Sequence, residues 1–416
     1  MRRVRARFFC YAAQHPRTSI TNIFVSLPVM RRFIALLVLV ATPIIGWAQE
    51  SGFNLIVVGD PQPQTEAQAI SLEQDIIPHI GTIVDEYKAS GYPTAILLTG
   101  DVVWDTMEFL PRIKHDFEAL GVPVYAVIGN HDHDRAIDGN EPLAESHYIT
   151  TFGERYYTFT MGDTRLYTLD NIDYTNYDNY SIGVSREQLR WLRREIRQLP
   201  NSQRIAILMH APAVDYRTGD LLPYAKRLMR LAKGHELHFV TGHRHRHATA
   251  DIAEDVVEHS VAQVNGNLWF APMCSDGTPR GVFCIEERNG EWRWQHRLLG
   301  EPADKALIVW QEGKVKNYES DIIVKVIGWD AKWRVEWIEN GEMRGVMEHL
   351  EMCDPGYMHY VENEAQYKDI IMQRLRRSAH PNKGYFRGRR TESNSNITII
   401  ATDRFGRQYR WESSAN

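Results

Sequence analysis

The sequence predicts an α/β layered domain followed by a mostly β domain. Between about residues 52 and 245, short apolar runs alternate with longer amphipathic segments, a pattern typical of a layered α/β fold. After about residue 250 the segments are short and β-like. Asn-Gly pairs at 289–290 and 340–341, which favour tight hairpin turns, separate some of them. Since 416 residues are enough for two domains, we place the boundary at about residue 300.

The composition and spacing of these runs predict the strands and helices of the first domain. Apolar, β-branched runs predict strands at Leu55–Val58, Ala95–Leu98, Val124–Ile128, Arg165–Leu169, Ile205–Met209 and His238–Val240. Apolar residues at helical spacing predict helices at Ile70–Lys88 and Met107–Leu120. The stretch Ser185-Arg186-Glu187-Gln188 predicts a capping box at the start of a further helix.

The later segments predict strands on both sides of the boundary. Gly281–Glu287 and Trp292–Arg297 complete the first domain, whereas Ile322–Ile327, Trp333–Ile338 and Ile397–Ala401 belong to the second. The basic stretch Arg374–Arg390 fits a solvated face or loop, with contact to an anionic surface as the alternative.

The N-terminal region predicts a secretory signal peptide. Met30-Arg31-Arg32 precedes an apolar run over Phe33–Ile45, and a small-x-small cleavage site ends near Ala48. The run is short and contains Pro43, which argues against a transmembrane anchor. We therefore expect residues 1–48 to be an upstream extension plus signal peptide, 50–299 and 300–416 to be the two domains, and the mature protein to be periplasmic or secreted.

Overall composition points to a soluble globular protein. The net charge is −5 and the hydrophobic fraction is 43%, so nothing global indicates nucleic acid as an obligatory partner. Cleavage near Ala48 would leave Cys274, Cys284 and Cys353. Two alternatives stay open for them: Cys274 and Cys284 pair across a hairpin, or all three are small buried side chains.

Polar residues follow most of the predicted strands where each strand ends. Ligands collect at the carboxyl ends of the strands in α/β sheets, so these residues are expected to converge. A convergence of carboxylates, amides and imidazoles without counter-charge requires cations among them. The polar strand ends are Asp60-x-Gln62, Gly100-Asp101 with Asp105, Gly129-Asn130-His131-Asp132, His210, and Gly242-His243-Arg244-His245.

This order of motifs resembles the calcineurin-like metallophosphoesterase superfamily, with its DxH, GDxxD, GNH(D/E), later His and GHxH motifs. The resemblance covers roughly residues 53–297 and implies a four-layer αββα sandwich. The stretches at 266–269 (GNLW) and 276–279 (DGTP) are similar to bacterial members that carry a β-rich C-terminal extension. In that branch the first motif commonly reads Asp-Pro-Gln, as at Asp60-Pro61-Gln62. The second motif is one residue longer than GDxxD, which leaves the role of Asp105 open.

The resemblance implies two divalent metal ions bridged by Asp101. One ion would take Asp60, Gln62, Asp101 and His245, and the other would take Asp101, Asn130, His210 and His243. Gln62 would replace a histidine, either by coordinating through its amide oxygen or by hydrogen-bonding a metal-bound water. The metal is Mn²⁺, Fe, Mg²⁺ or Zn²⁺, and an oxygen ligand at Gln62 favours the first three over Zn²⁺.

The implied reaction is hydrolysis of a phosphoester by a water activated between the two metals. His131 would act as the general acid or transition-state stabiliser, and Asp132 would orient its imidazole. The substrate is a phosphomonoester or a phosphodiester of unknown identity. The alternative is a non-catalytic exported protein that binds metal or phosphoglycans.

Residues around these motifs leave further alternatives open. His247 fits a rim or substrate-contact residue, and Arg244 and Arg246 fit either solvated side chains or a phosphate contact. Aromatic residues are dense between Tyr156 and Tyr180, where they line a substrate mouth or cover the sheet.

Overall fold

The computed structural model describes residues 52–176, 178–363 and 379–413. The predicted signal peptide and the residues before it lie outside the described residues, as does part of the basic stretch Arg374–Arg390. Among the helices that are described, none is long and apolar enough to cross a membrane.

The first domain contains the predicted strands, with additional hairpins between them. Its strands are β1 (Gly52–Val58), β2 (Thr94–Leu98), β3 (Val124–Ala126), β4 (Thr158–Met161), β5 (Thr164–Thr168), β6 (Ile172–Asn176), β7 (Asn179–Ile182), β8 (Ile205–Leu208), β9 (Val214–Asp215), β10 (Asp220–Leu221), β11 (Leu237–Thr241), β12 (Ala248–Ala253), β13 (Val256–Ser260), β14 (Gly281–Arg288) and β15 (Glu291–Leu298).

Helices connect these strands. They are α1 (Glu66–Ser71), α2 (Ile77–Ala89), α3 (Leu110–Glu118), α4 (Glu141–Ala144), α5 (Ser146–Phe152), α6 (Arg186–Ile196) and α7 (Pro223–Leu231). A π-helical segment, Leu72–Ile76, joins α1 to α2 in the region predicted as one helix. Pro78 in the first turn of α2 has no N–H to donate to the preceding turn, which accounts for the local change of helical pitch.

Two mixed sheets form the centre of the first domain. One has the order β15-β14-β1-β2-β3, and the other has the order β12-β13-β11-β8-β5-β4. Strands β1, β2 and β3 are parallel in the first sheet, and β5, β8, β11 and β13 are parallel in the second. The parallel strands therefore present their carboxyl ends at one edge of each sheet.

Both faces of the sheets are buried, which gives four layers. Leu55 and Val57 of β1 face the second sheet, whereas Ile56 and Val58 pack against α2 and α3 on the opposite face. The outer face of the second sheet packs against α6 and α7 through residues such as Leu192. The predicted αββα arrangement is confirmed.

Helix α6 begins at Ser185, as predicted, but the capping box is only half formed. The Ser185 hydroxyl accepts a hydrogen bond from the Gln188 N–H at 3.2 Å. The Gln188 side chain instead bonds the backbone of Asp170 through both its amide nitrogen and its amide oxygen. It thereby ties α6 to the end of β5.

The chain after residue 300 builds two four-stranded antiparallel sheets around a separate apolar core. We call this part the C-terminal domain. Its order of elements is β16 (Leu307–Trp310), β17 (Ile322–Val326), β18 (Arg334–Glu339), β19 (Glu342–Val346), β20 (Glu348–Met352), α8 (Pro355–Glu362), β21 (Asn382–Gly388), β22 (Ile397–Thr402) and β23 (Gln408–Glu412).

Polar contacts join the C-terminal domain to the first. Arg404 pairs with Asp251 at 3.0 Å, and the Lys325 ammonium donates to the Gly277 carbonyl while pairing with Asp354 at 2.7 Å. Because Gly277 lies in the DGTP stretch, that stretch is part of the junction. Cys274 and Cys284 are buried free thiols, and Cys353 is also free, so the hairpin disulfide is not formed.

Candidate metal centre

The polar residues that follow β1, β2, β3, β8 and β11 meet at the carboxyl edge of the two sheets. Asp60, Asp101 and His210 are 0%, 1% and 0% exposed. Ionisable side chains are rarely buried to this extent unless they are paired or hold a metal ion. The sheets therefore place a buried polar cluster at the edge that the sequence indicated.

The backbone at this edge is held in an uncommon conformation. A positive φ is rare for residues other than glycine, asparagine and aspartate, and such residues concentrate at functional sites. Here residues of several motifs share it, each on the turn that follows a strand: Asp60, Gln62, Asp101, Asp105, His243 and His245. The turns thus point successive side chains into one space at a local cost in backbone energy.

Two glycines allow these turns to approach one another. A Cβ at Gly242 would lie 2.6 Å from the Thr99 hydroxyl and 2.9 Å from the Asp60 carboxylate. A Cβ at Gly129 would lie 2.3 Å from Oδ1 of Asp101. Glycine at these positions is what lets the carboxylates sit against neighbouring backbone.

Two groups of potential ligand atoms share Asp101. One contains Asp101, His210 and His243, and the other contains Asp60, Asp101 and His245; within each group the ligand atoms lie within 4.8 Å of one another. These groups match the carboxylates and imidazoles of the two ligand sets that the resemblance implies. Asn130 belongs with the first group, because its Oδ1 lies 3.2 Å from Nε2 of His210.

The hydrogen bonding of His210 suits a metal ligand. Its Nδ1 lies 2.8 Å from the Thr99 carbonyl oxygen, to which it donates, so Nε2 is the nitrogen that can bind a metal once it has lost its proton. That Nε2 lies 3.1 Å from Nδ1 of His243 and 3.3 Å from a carboxylate oxygen of Asp101. Metal-binding histidines are commonly oriented by donating their other nitrogen to a carbonyl.

The electrostatics of the cluster also fit cations. Burial, together with the charge of Asp101, raises the pKa of Asp60 to about 8. Burial disfavours the charged form of His210, but the charge and hydrogen bond of Asp101 outweigh it and raise its pKa to about 9. Without metal the cluster binds protons near neutral pH, and divalent ions would replace them. The donor set therefore fits two divalent metal ions.

Gln62 is buried in the cluster, but its amide oxygen is already engaged. The Leu268 N–H donates to Oε1 of Gln263, so the Gln263 amide nitrogen faces Oε1 of Gln62 at 2.6 Å. Nε2 of Gln62 then donates to the Asp101 carboxylate at 2.6 Å. In this arrangement Gln62 positions the shared carboxylate.

His131 lies beside the cluster and is held by Asp105. Nδ1 of His131 lies 2.9 Å from Oδ1 of Asp105, and the Trp104 ring stacks on the imidazole at 4.1 Å between centroids. Burial opposes protonation of His131, but the charge of Asp101 and the hydrogen bond of Asp105 raise its pKa above the usual value. The longer second motif thus places Asp105 on the imidazole, where the sequence left its role open.

Asp132 does not contact the His131 ring, contrary to the role that the resemblance implies. Its carboxylate is fully buried and accepts hydrogen bonds from the N–H groups of Val102, Val103 and Gly129 at 2.8–3.2 Å. It joins the loop after β2 to the loop after β3, because those N–H groups have no strand partner there. Asp132 therefore braces the two loops.

Several residues of the site escaped the sequence argument. Gln263 lies between recognisable motifs and Trp104 lies at a variable position within the second motif, so only their contacts identify them. Aromatic residues of the region between Tyr156 and Tyr180 take two kinds of position. Tyr125, Tyr157 and Phe159 pack together beside the sheet, whereas Tyr180 is 37% exposed and its ring lies 6.3 Å from that of His243. Tyr180 is thus the aromatic residue of this region that borders the metal centre.

A four-layer sandwich with two overlapping carboxylate–imidazole sets at its strand ends defines a metal-dependent hydrolase with a dinuclear centre. Residues 53–247 match the family model described as calcineurin-like phosphoesterase, and residues 258–409 match the model described as the C terminal of calcineurin-like phosphoesterase. The chain belongs to the calcineurin-like phosphoesterases, and it is a hydrolase acting on phosphoesters.

Three of the solved structures that are similar to this chain are the following. A dimetal phosphatase from Danio rerio is 12% identical over 60% of this chain and 97% of its own, with a TM-score of 0.42. A purple acid phosphatase from yellow lupin seeds is 13% identical over 67% of this chain and 51% of its own, with a TM-score of 0.42. An NAD nucleotidase from Haemophilus influenzae is 11% identical over 60% of this chain and 50% of its own, with a TM-score of 0.37. No curated protein matches the sequence.

Proposed function

We propose that the protein hydrolyses a phosphomonoester or phosphodiester at the centre formed by Asp60, Asp101, Asn130, His210, His243 and His245. The observation that carries this proposal is the sharing of Asp101 between two buried ligand groups. One carboxylate at the centre of two groups suits two neighbouring cations. Such a pair, when bound, acidifies a water and neutralises the phosphoryl oxygens.

The protein's own residues supply orientation and proton transfer. Asp105 holds Nδ1 of His131 by a hydrogen bond. We therefore assign Nε2 as the ring nitrogen that donates a proton to the leaving oxygen. The Trp104 ring fixes the plane of that imidazole by stacking. Gln62 holds one oxygen of Asp101 by hydrogen bonding, and the backbone N–H of His131 donates to the other oxygen at 2.8 Å. Both oxygens of the shared carboxylate are thereby oriented.

The test is an activity screen on protein stripped with a chelator and then reconstituted separately with Mn²⁺, Mg²⁺, Fe²⁺ or Zn²⁺. Hydrolysis of p-nitrophenyl phosphate and of bis-p-nitrophenyl phosphate is measured on each sample, together with metal content. We expect activity only in reconstituted samples, and the ratio of the two rates assigns the monoester or diester class. A protein that retains two ions per chain and hydrolyses neither compound would contradict the proposal and favour a binding function.

We also propose that the protein is exported, because the sequence between Met30 and Ala48 has the pattern of a signal peptide. Expression of the full chain in a Gram-negative host, followed by fractionation and N-terminal sequencing of the mature protein, tests this. A mature N-terminus just after Ala48 in the periplasm or medium is expected. An uncleaved protein that remains in the cytoplasm would contradict it.

A further inference from the structure

A cavity of about 380 Å³ lies between the loop that carries His243 and His245 and the C-terminal domain. Arg244 and Arg246 line it from the loop, and Trp329 and Lys383 line it from the C-terminal domain. Its volume is within the range of small-molecule sites, roughly 300–1,000 Å³. The cavity therefore has room for a ligand, and both domains are needed to form it.

Among the described residues, Arg244, Arg246 and Lys383 of the lining form no salt bridge with a carboxylate. Arg244 lies over the ring of Tyr216 at 5.2 Å, which is a cation–π contact rather than an ion pair. Arg246 follows Arg244 by two residues, and both guanidinium groups line the same cavity. Lys383 is exposed at the rim. Such an arrangement is stabilised by an anion.

The carboxylates in the cavity do not cancel this charge. Asp276 accepts hydrogen bonds from the Thr278 N–H, the Thr278 hydroxyl and the Asn382 side chain at 2.9–3.1 Å. It is thus committed to shaping the wall. Lys325, which also lines the cavity, is paired with Asp354 at 2.7 Å. Glu351, an exposed residue, is the other carboxylate of the lining.

We propose that this cavity is an anion subsite that binds a phosphate group. Guanidinium groups present paired donors that match phosphate oxygens. Arg244 and Arg246 alternate along the chain with His243 and His245, and consecutive Cα atoms are only about 3.8 Å apart. The phosphate is either the distal phosphate of a bisphosphorylated substrate, an assignment that rests on the proposed function, or a free phosphate ion.

The first experiment measures binding of inorganic phosphate to metal-stripped protein by isothermal titration calorimetry. Stripping removes the cations that would hold phosphate at the metal centre, and the variants below assign the remaining binding to the cavity. We expect saturable binding that Arg246→Ala and Lys383→Ala each weaken about tenfold, the usual effect of losing one charge-assisted contact. The exposed Arg227→Ala and Lys314→Ala serve as matched controls without effect. Absence of binding by the stripped wild type, or equal binding by the cavity variants, would overturn the proposal.

The second experiment separates the two sources of phosphate. Release of phosphate from fructose 1,6-bisphosphate and from fructose 6-phosphate is followed with reconstituted wild type and Lys383→Ala. If the subsite holds a distal phosphate, the variant raises KM for the bisphosphate about tenfold and raises KM for fructose 6-phosphate, which has no second phosphate, much less. If KM does not change although phosphate binding is weakened, the occupant is free phosphate. Absence of hydrolysis of p-nitrophenyl phosphate and of its bis-ester by the wild type contradicts the proposed function and leaves the binding result standing. Hydrolysis of either p-nitrophenyl compound but not of the bisphosphate would overturn the distal-phosphate assignment.

Discussion

Asp105→Asn tests the assignment of His131 as the group that protonates the leaving oxygen. The substitution keeps a hydrogen-bond acceptor beside Nδ1 of His131, now 2.9 Å from Oδ1 of Asp105, but removes the negative charge. The side chain of Asp105 is only 4% exposed, so solvent screens this pair weakly. The change therefore acts mainly on the proton affinity of His131.

The magnitude follows from the strength of the contact. A hydrogen bond to a charged group contributes about 1.5–3 kcal/mol, and about 1.4 kcal/mol corresponds to one pKa unit. Loss of the Asp105 charge should therefore lower the pKa of His131 by about 1–2 units. Since the imidazolium is the acid, activity is lost as pH rises through this pKa, and the alkaline limb of the kcat profile should move to lower pH by the same amount.

The assay compares phenyl phosphate with p-nitrophenyl phosphate over a range of pH. Phenolate is the poorer leaving group and depends more on proton donation, so the variant should affect phenyl phosphate more strongly. Asp138→Asn, an exposed position on the loop that follows β3, is the matched control. An unshifted alkaline limb, or equal losses for both substrates, would refute the reasoning, provided that thermal melts show a folded variant.

Three further predictions concern stability and proton linkage. Gln263→Leu leaves the buried oxygen of Gln62 without its donor and should lower the free energy of unfolding by about 1–3 kcal/mol, measured by urea denaturation. Mn²⁺ binding to stripped protein at pH 7.5 should release protons, because pKa values of about 8 for Asp60 and about 9 for His210 leave both largely protonated without metal. Calorimetry in buffers of different ionisation enthalpy measures the number of protons released. Glu339→Gln should destabilise the protein at pH 7 by about 1–2 kcal/mol, and the difference should disappear towards pH 2.

The sign of the Glu339 prediction follows from its contacts. Burial opposes its ionisation, but hydrogen bonds from Ser395 and Thr391 lower its pKa from 4.5 to about 2. A lowered folded-state pKa gives stability that is present above the unfolded value and is lost as pH falls through the folded one.

The two substitutions have matched controls, and each of the three predictions has a contrary outcome. The exposed Gln198→Leu and Glu342→Gln should leave stability unchanged. Unchanged unfolding of Gln263→Leu, a heat of Mn²⁺ binding that is the same in every buffer, or a Glu339→Gln effect that persists at pH 2 would each contradict the corresponding account.

The convergence of Asp60, Asp101 and His210 could be predicted from sequence because it depends on local rules. Each residue follows an apolar run directly, and parallel strands bring their carboxyl ends to the same edge of a sheet. The same rules indicated four of the strands almost to the residue: Thr94–Leu98, Thr164–Thr168, Ile205–Leu208 and Leu237–Thr241.

The orientation of Gln62 could not be predicted, because it depends on a partner distant in sequence. Gln263 lies 201 residues further along the chain, and its own orientation is set by the backbone of Leu268. The contact of Asp105, rather than Asp132, with the His131 ring could not be predicted for a similar reason. Asp105 reaches the imidazole from a turn with φ of +58°, which no periodic pattern reveals.

The central claim is that the buried cluster around Asp101 holds the metal ions that hydrolysis requires. The most direct test measures metal content and hydrolysis of p-nitrophenyl phosphate or its bis-ester on the same Mn²⁺-reconstituted samples of wild type and Asp101→Asn. The wild type should retain two ions per chain and be active. Asp101→Asn should retain fewer ions and lose activity by about 100-fold or more, because the ligand common to both ions has lost its charge. Wild-type turnover by a folded Asp101→Asn, or full activity of wild type after removal of all metal, would contradict the claim.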